Sequence, residues 1–139
     1  MARLTLIDLE EARELHALAF PADPWPGDDH TFWSARIDGA LAGLCSAYHW
    51  EDKGVVFLSR AAVVKRYQGR GVQQQMIRHR IRWARRHGVP AAITYTTLDN
   101  YPSIVALLNC GFQFHQPPVA ERFAGAAKHY FRRDLRCQL

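Results

Sequence analysis

A mixed α/β fold built as a single domain over residues 1–139 is what this chain predicts, with a central sheet of about six to seven strands flanked by helices. Three observations lead there. The 139 residues match the size of one ordinary domain. Runs of strand character alternate with segments whose apolar residues repeat at helical spacing. Short clusters of Gly, Pro and Asp separate the two kinds of segment. The 48% hydrophobic and 22% charged fractions also exclude wholesale disorder and a collagen-like chain.

Each element has a local reason. Leu4 to Ile7 is a short apolar run suited to a strand, and Asp8 followed by Glu11 forms the start signal of a helix. That helix carries Leu9, Ala12, Leu15, Leu18 and Ala19 on one side and ends near Phe20-Pro21. Pro21 to His30, interrupted by prolines and Gly27, is a loop. Thr31 to Ile37 and Ala40 to Trp50 are strands joined at Asp38-Gly39, a dipeptide that favours a tight hairpin turn. A second turn over Glu51 to Gly54 leads into a strand from Val55 to Val64, completing an antiparallel meander. Val72, Met76, Ile77, Ile81 and Ala84 then repeat at helical spacing, with His87-Gly88 as the stop. Ala91 to Leu98 is a strand, Ser103 to Cys110 a short helix closed by Gly111, and Phe112 to Phe114 and Lys128 to Leu135 are the last two strands.

The formal charge is +5, and from Lys53 to Leu98 the chain carries basic residues without a single Asp or Glu. An anionic partner is implied, whether nucleic acid, phosphorylated cofactor or acidic protein. Cys45, Cys110 and Cys137 are scattered and lack metal-ligand spacing, so reduced thiols and no metal site are expected. Met1 to Asp8 holds no apolar core of signal-peptide length, and no run approaches the roughly 20 apolar residues of a membrane span. The expectation is a cytoplasmic protein with no membrane partner.

Between the fourth strand and the long helix lies Gln68-Gly69-Arg70-Gly71-Val72-Gln73. Glycines at a strand-to-helix turn let backbone amides converge, and the helix N-terminus adds partial positive charge, so a phosphate can be held there. With Ala62 to Tyr67 before it, this turn resembles motif A of the GNAT N-acetyltransferase superfamily, whose acetyl-CoA signature runs Gln/Arg-x-x-Gly-x-Gly/Ala. Asn100-Tyr101-Pro102-Ser103, followed by Leu107 to Phe112, is similar to that superfamily's motif B. The element order resembles the GNAT order as well.

The resemblance implies a splayed acetyl-CoA cleft between strands four and five, and it implies residue roles. Val63 offers backbone groups to the pantetheine arm; Gln68, Gly69, Arg70, Gly71, Val72 and Gln73 surround the diphosphate; Asn100 and Ser103 contact the cofactor from the motif B helix. Two departures stand out. Gln73 replaces the final Gly or Ala of the signature, and Leu107 occupies the position where many members place a tyrosine that protonates the departing thiolate. The glutamates that serve as bases in two branches of the superfamily are absent too, Val55-Val56 and Tyr95 standing in their places.

Tyr95 is therefore the first candidate for proton transfer, against the simpler reading of an aromatic packed on a neighbouring strand, with Tyr130, Tyr67 and Tyr101 behind it. Aminolysis of a thioester needs the neutral amine. Deprotonation at pH 7 costs about 4.6 kcal/mol for a lysine-like amine and about 1.1 kcal/mol for an α-amine, so the missing base favours a weakly basic acceptor. Glu51 or a water chain would serve a lysine-like one. In the loop after the first helix, Asp28 would hold a cationic amine and Trp25 cover it, unless the loop is simply an acidic surface segment. The function expected is acetyl-CoA-dependent N-acetyl transfer to a primary amine of a small molecule or peptide by direct attack, by a monomer or a homodimer. The alternatives are a catalytically degenerate acyl-CoA-binding or interaction domain, and a basic nucleic-acid module built on Arg78 to Arg86. The latter lacks any nucleic-acid-binding motif, and its arginines fall on several helix faces.

Overall fold

The computed structural model describes residues 1–136, so Cys137 lies outside the described residues. The order is β1 (Arg3–Ile7), α1 (Leu9–Ala19), β2 (Thr31–Ile37), β3 (Ala40–Trp50), β4 (Val55–Val63), α2 (Val72–Arg86), β5 (Ala91–Thr97), α3 (Tyr101–Asn109), β6 (Gln113–His115) and β7 (Lys128–Asp134). One seven-stranded sheet holds them in the order β1-β2-β3-β4-β5-β7-β6, antiparallel except where β4 meets β5. The mixed α/β class and the strand count follow the sequence expectation. Among the described residues no helix is long and apolar enough to cross a membrane.

Period-two alternation assigns the sheet's two faces. Trp33 and Cys45 join the main core with Met76, Ile77 and Ile81 of α2, while their neighbours Phe32 and Leu44 pack with Ala12 beneath α1. Gly43 lets α2 approach the sheet, since a Cβ there would stand 2.9 Å from the Ala62 carbonyl oxygen and 3.0 Å from the Met76 sulfur.

Three expectations need correcting. On α1, Ala12 and Leu15 pack as expected, but the buried His16 joins them, whereas Leu9 and Leu18 are exposed, Leu18 to 79%. His16 sits there because its ring packs against Phe20, Trp25 and Phe32 at centroid distances of 5.2, 5.5 and 6.5 Å, so an aromatic cluster takes the place of Leu9 and Leu18 in the packed side. The third helix starts at Tyr101, ahead of Ser103, because the Asn100 side chain caps it and Pro102 suits a first turn. Arg80, read among the arginines of an amphipathic helix, is 2% exposed.

The cause of that burial is a β-bulge. The β3–β4 register shifts between Ser46 and Ala47, with Ser46 opposite Arg60 and Ala47 opposite Leu58, so Ser59 is the extra residue. Arg80 spans the distortion, donating from Nη1 to the carbonyls of Ser46 (3.1 Å) and Arg60 (3.4 Å) and from Nε to Met76 (3.1 Å). Buried carbonyls that the sheet leaves short of partners are thereby satisfied.

Candidate active site

β4 and β5 pair only at Val56–Ala92 and Phe57–Ile93. Beyond that point the Thr94 hydroxyl donates to the Leu58 carbonyl at 2.8 Å, and the two strands then diverge. A V-shaped opening results at the C-terminal ends of two parallel strands, where ligand crevices form in α/β sheets.

Three hollows that share wall residues follow the opening. A groove of about 850 Å³ runs from Ala61–Val63 on β4, past Gln68, Gly69 and Gly71, to Asn100, Ser103 and Val105 on α3. A cleft of about 380 Å³ lies between the splayed strands, with Arg60, Gln73, Tyr95, Thr96 and Leu107 in its walls. A pocket of about 450 Å³ is bounded by His30, Tyr48, Trp50, Phe57, Arg60 and Tyr95. Gln73 and Asn100 belong to both groove and cleft, Arg60 and Tyr95 to both cleft and pocket.

At the glycine turn the backbone adopts positive φ at Gly69 (80°) and Gly71 (79°), and a Cβ on either would enter open space. Gly71 is the N-cap residue of α2 and no side chain caps that helix, so its first amides face outward unused. Val72 and Gln73 line the groove beside them. Arg70 does not: its guanidinium lies over the Tyr67 ring at 5.4 Å, outside the groove lining. Val63 lines the groove, and its carbonyl accepts from Gln68 Nε2 at 3.3 Å. Asn100 both lines the groove and caps α3, its Oδ1 accepting from the Ser103 amide at 3.4 Å.

Tyr95 packs among Phe57, Phe123 and Tyr130 at 5.9, 5.0 and 6.1 Å between centroids while bordering both cleft and pocket. The other phenols are less suited. The Tyr130 hydroxyl accepts from the Phe123 amide at 2.9 Å, Tyr67 lies under Arg66 and Arg70, and Tyr101 is exposed on α3. Glu51 is exposed in a turn outside all three hollows. Trp25 and Asp28, expected at the acceptor, line none of the hollows. Trp25 stacks on Phe32 at 5.0 Å and donates to Asp28 at 2.9 Å, and Asp28 is also paired with Arg13. The pair anchors the loop over the smaller core cluster, and the bonds from Arg13 and Trp25 hold the Asp28 carboxyl below its ordinary value.

His30 carries the chemistry that sequence reasoning missed. Its side chain is 10% exposed, stacks on Tyr48 at 5.0 Å, and shares a hydrogen bond through Nδ1 with the Ser59 hydroxyl at 2.8 Å. Ser59 continues to the Ser46 hydroxyl at 2.7 Å. Burial pushes the imidazole below its ordinary value; Asp29, 3.9 Å from Nε2, opposes the shift and Arg60 adds to it. The ring is therefore neutral at neutral pH. Because Ser59 is the bulge residue, both it and Arg60 border the pocket, which a regular strand would not allow for consecutive residues. The thiols are unlike this: burial raises Cys45 and Cys110 above the ordinary thiol value, keeping both protonated.

Comparison with known proteins agrees with this geometry. The model of the Acetyltransferase (GNAT) family matches residues 3–112. N-acetylaspartate synthetase of Rattus norvegicus is 28% identical over 99 residues, 71% of this chain; the chain spans only 30% of that relative's length. Among solved structures, an IAA acetyltransferase from Bacillus cereus superposes with a TM-score of 0.79 at 15% identity, covering 96% of this chain and 99% of that one. A GNAT family acetyltransferase from Elizabethkingia anophelis with acetyl-CoA bound has a TM-score of 0.77 at 13% identity, with coverages of 96% and 97%. With the family pattern matched along most of its length and the splayed β4–β5 cleft in place, the chain belongs to the Acetyltransferase (GNAT) family.

Proposed function

We propose that residues 1–139 act as one catalytic domain, an acetyl-CoA-dependent N-acetyltransferase whose acceptor is a primary amine. The observation that carries this reading is that the cleft shares Gln73 and Asn100 with the groove and Arg60 and Tyr95 with the pocket. Three features fit a bound acyl-CoA: the uncapped N-terminus of α2, the open space beside Gly69 and Gly71, and Thr96 Oγ1. That hydroxyl is buried in the cleft without a hydrogen-bond partner among the described residues, a costly arrangement unless a ligand supplies one. The relatives' name supports nitrogen as the accepting atom, and with 28% identity over 30% of their length acceptor choice rests on this chain's own pocket.

When bound, acetyl-CoA would supply a thioester carbon activated toward nucleophiles. Amides of Gly69 to Gln73 would receive its diphosphate at the positive end of the α2 dipole. His30 would take the ammonium proton of the acceptor. With its own proton on Nδ1, donated to Ser59, it leaves the Nε2 lone pair free, and Asp29 stabilises the imidazolium formed. The nitrogen–carbon bond forms as the carbon–sulfur bond breaks; Tyr95 would donate its phenolic proton to the departing thiolate and regain one as the acylated nitrogen sheds its second proton, leaving a neutral amide, the free CoA thiol and the first ammonium proton on His30. A protonated thiol at Cys45 and at Cys110 supports direct attack over an acyl-enzyme.

The test is thiol release from acetyl-CoA across a panel of primary amines. Amine-dependent release, lowered by Tyr95→Phe in kcat, is expected. Tight acetyl-CoA binding with no turnover on any amine would leave the chain a binding domain, and full kcat in Tyr95→Phe would remove the acid role.

A further inference from the structure

The pocket lined by His30 and Tyr95 has an electrostatic character at odds with a site for a polycation. Among its lining residues there is no carboxylate, and one cation, Arg60, is part of its wall. Arg60 spans pocket and cleft. Its Nε donates to His16 Nε2 at 3.2 Å and one Nη2 hydrogen to the Pro24 carbonyl at 3.1 Å. These bonds fix the planar guanidinium and leave both hydrogens of Nη1 and one of Nη2 without a partner among the described residues. Within those residues no carboxylate lies within 4.0 Å of it. Desolvation of His16, with the charge of Arg60 beside it, lowers the imidazole below its ordinary value, so this contact adds no second positive charge at neutral pH.

Outside the lining, Lys128 Nζ lies 5.3 Å from the Tyr95 ring centroid and is tied to the carbonyls of Ala124 (2.9 Å) and Ala126 (2.7 Å). Two carboxylates stand at the margins. Asp29 lies 3.9 Å from His30, and Asp23 borders the cleft at its Phe20 end.

Building on the acetyl-transfer reading, we propose that the acceptor is an amine that also carries a carboxylate, an amino acid in the general sense, and that Arg60 receives this carboxylate. A guanidinium held by two bonds and offering a free edge suits bidentate carboxylate recognition.

The experiment measures kcat/KM for the standard amino acids, then compares the best of them with its own amide and its decarboxylated amine, with spermidine added, in wild type, Arg60→Gln and Arg60→Lys. In wild type the free amino acid is expected to be the best substrate. Arg60→Gln should lower its kcat/KM by about 10- to 100-fold, mainly through KM, and change the amide and the decarboxylated amine less than about twofold. Arg60→Lys should recover part of the loss. Activity on the uncharged-tail amines reports that the variant is folded. Equal losses on all acceptors, or spermidine as the best acceptor with Arg60→Gln silent, would overturn the proposal while leaving acetyl transfer intact. Absence of transfer to every amine would instead overturn the acetyl-transfer reading beneath it.

Discussion

Replacing Gly71 separates what the turn does for folding from what it does for binding. Its φ of 79° is a left-handed conformation that costs a residue with a Cβ about 1–2 kcal/mol. A Cβ there meets nothing within 4 Å, so no steric penalty is added in the free protein. With an unfolding entropy of about 2.1 cal/mol/K per residue over 139 residues, Gly71→Ala should lower Tm by about 3–7 °C. Gly39 is the matched control, at φ 82° with equally open space but on the β2–β3 turn away from the groove. Gly39→Ala should cost the same Tm and leave acetyl-CoA affinity unchanged. Gly71→Glu adds a carboxylate where the diphosphate would lie. At about 5 Å and an effective dielectric of about 20 the repulsion is about 3 kcal/mol, roughly a hundredfold or more in Kd before bulk is counted. Thermal melts of the four proteins read the Tm shifts, and calorimetric titration with acetyl-CoA reads the affinities. A folded Gly71→Glu that binds within threefold of wild type would refute the placement of the diphosphate on this turn.

The remaining expectations concern titration and thiols. The kcat/KM profile should fall on its acid side below the ordinary imidazole value of about 6.5, because burial lowers His30 and the base works only when neutral. His30→Gln should lose about 100-fold in kcat and that acid limb with it; an unchanged limb would assign it to another group. Folding stability should follow the same sign. His16, His30 and His79 are all lowered in the folded state, chiefly by burial, so the unfolded chain protonates first as pH falls. Their contribution is complete above about pH 6.5 and declines as pH drops through the folded values, which a Tm series from pH 7.5 to 5 would detect as a fall, while a flat series would contradict it. Cys45→Ala and Cys110→Ser should retain kcat where they remain folded, since no acyl-enzyme forms; loss of turnover in a folded variant would sink direct attack.

What the sequence disclosed is what short range decides. Alternation in Thr31–Ile37 and Ala40–Trp50, the Asp38-Gly39 turn, and the helical spacing of Val72 to Ala84 are local signals, and each element stands where they put it. The glycine turn was legible because positive φ and an uncapped helix start are properties of a few consecutive residues. The acceptor side was not, because its parts meet only through the sheet. His30 reaches Ser59 across 29 positions, and it does so because a bulge turns Ser59 toward it. No periodicity marks that bulge. Arg80 is hidden for the same reason, serving carbonyls 34 and 20 residues away. Trp25 and Asp28 offered the right chemical groups for an amine but are committed to each other, to Arg13 and to Phe32. Side-chain type alone carries no such information.

The most direct measurement is a crystal structure of the protein with CoA and the best acceptor's acetylated product. The diphosphate should rest on the amides of Gly69 to Gln73, the thiol should enter the gap beyond Phe57 and Ile93 within hydrogen-bond reach of Tyr95 or Thr96, and the product should fill the pocket beside His30. CoA bound elsewhere, or a product lodged away from His30 and Tyr95, would contradict the reading of groove, cleft and pocket as one transferase site.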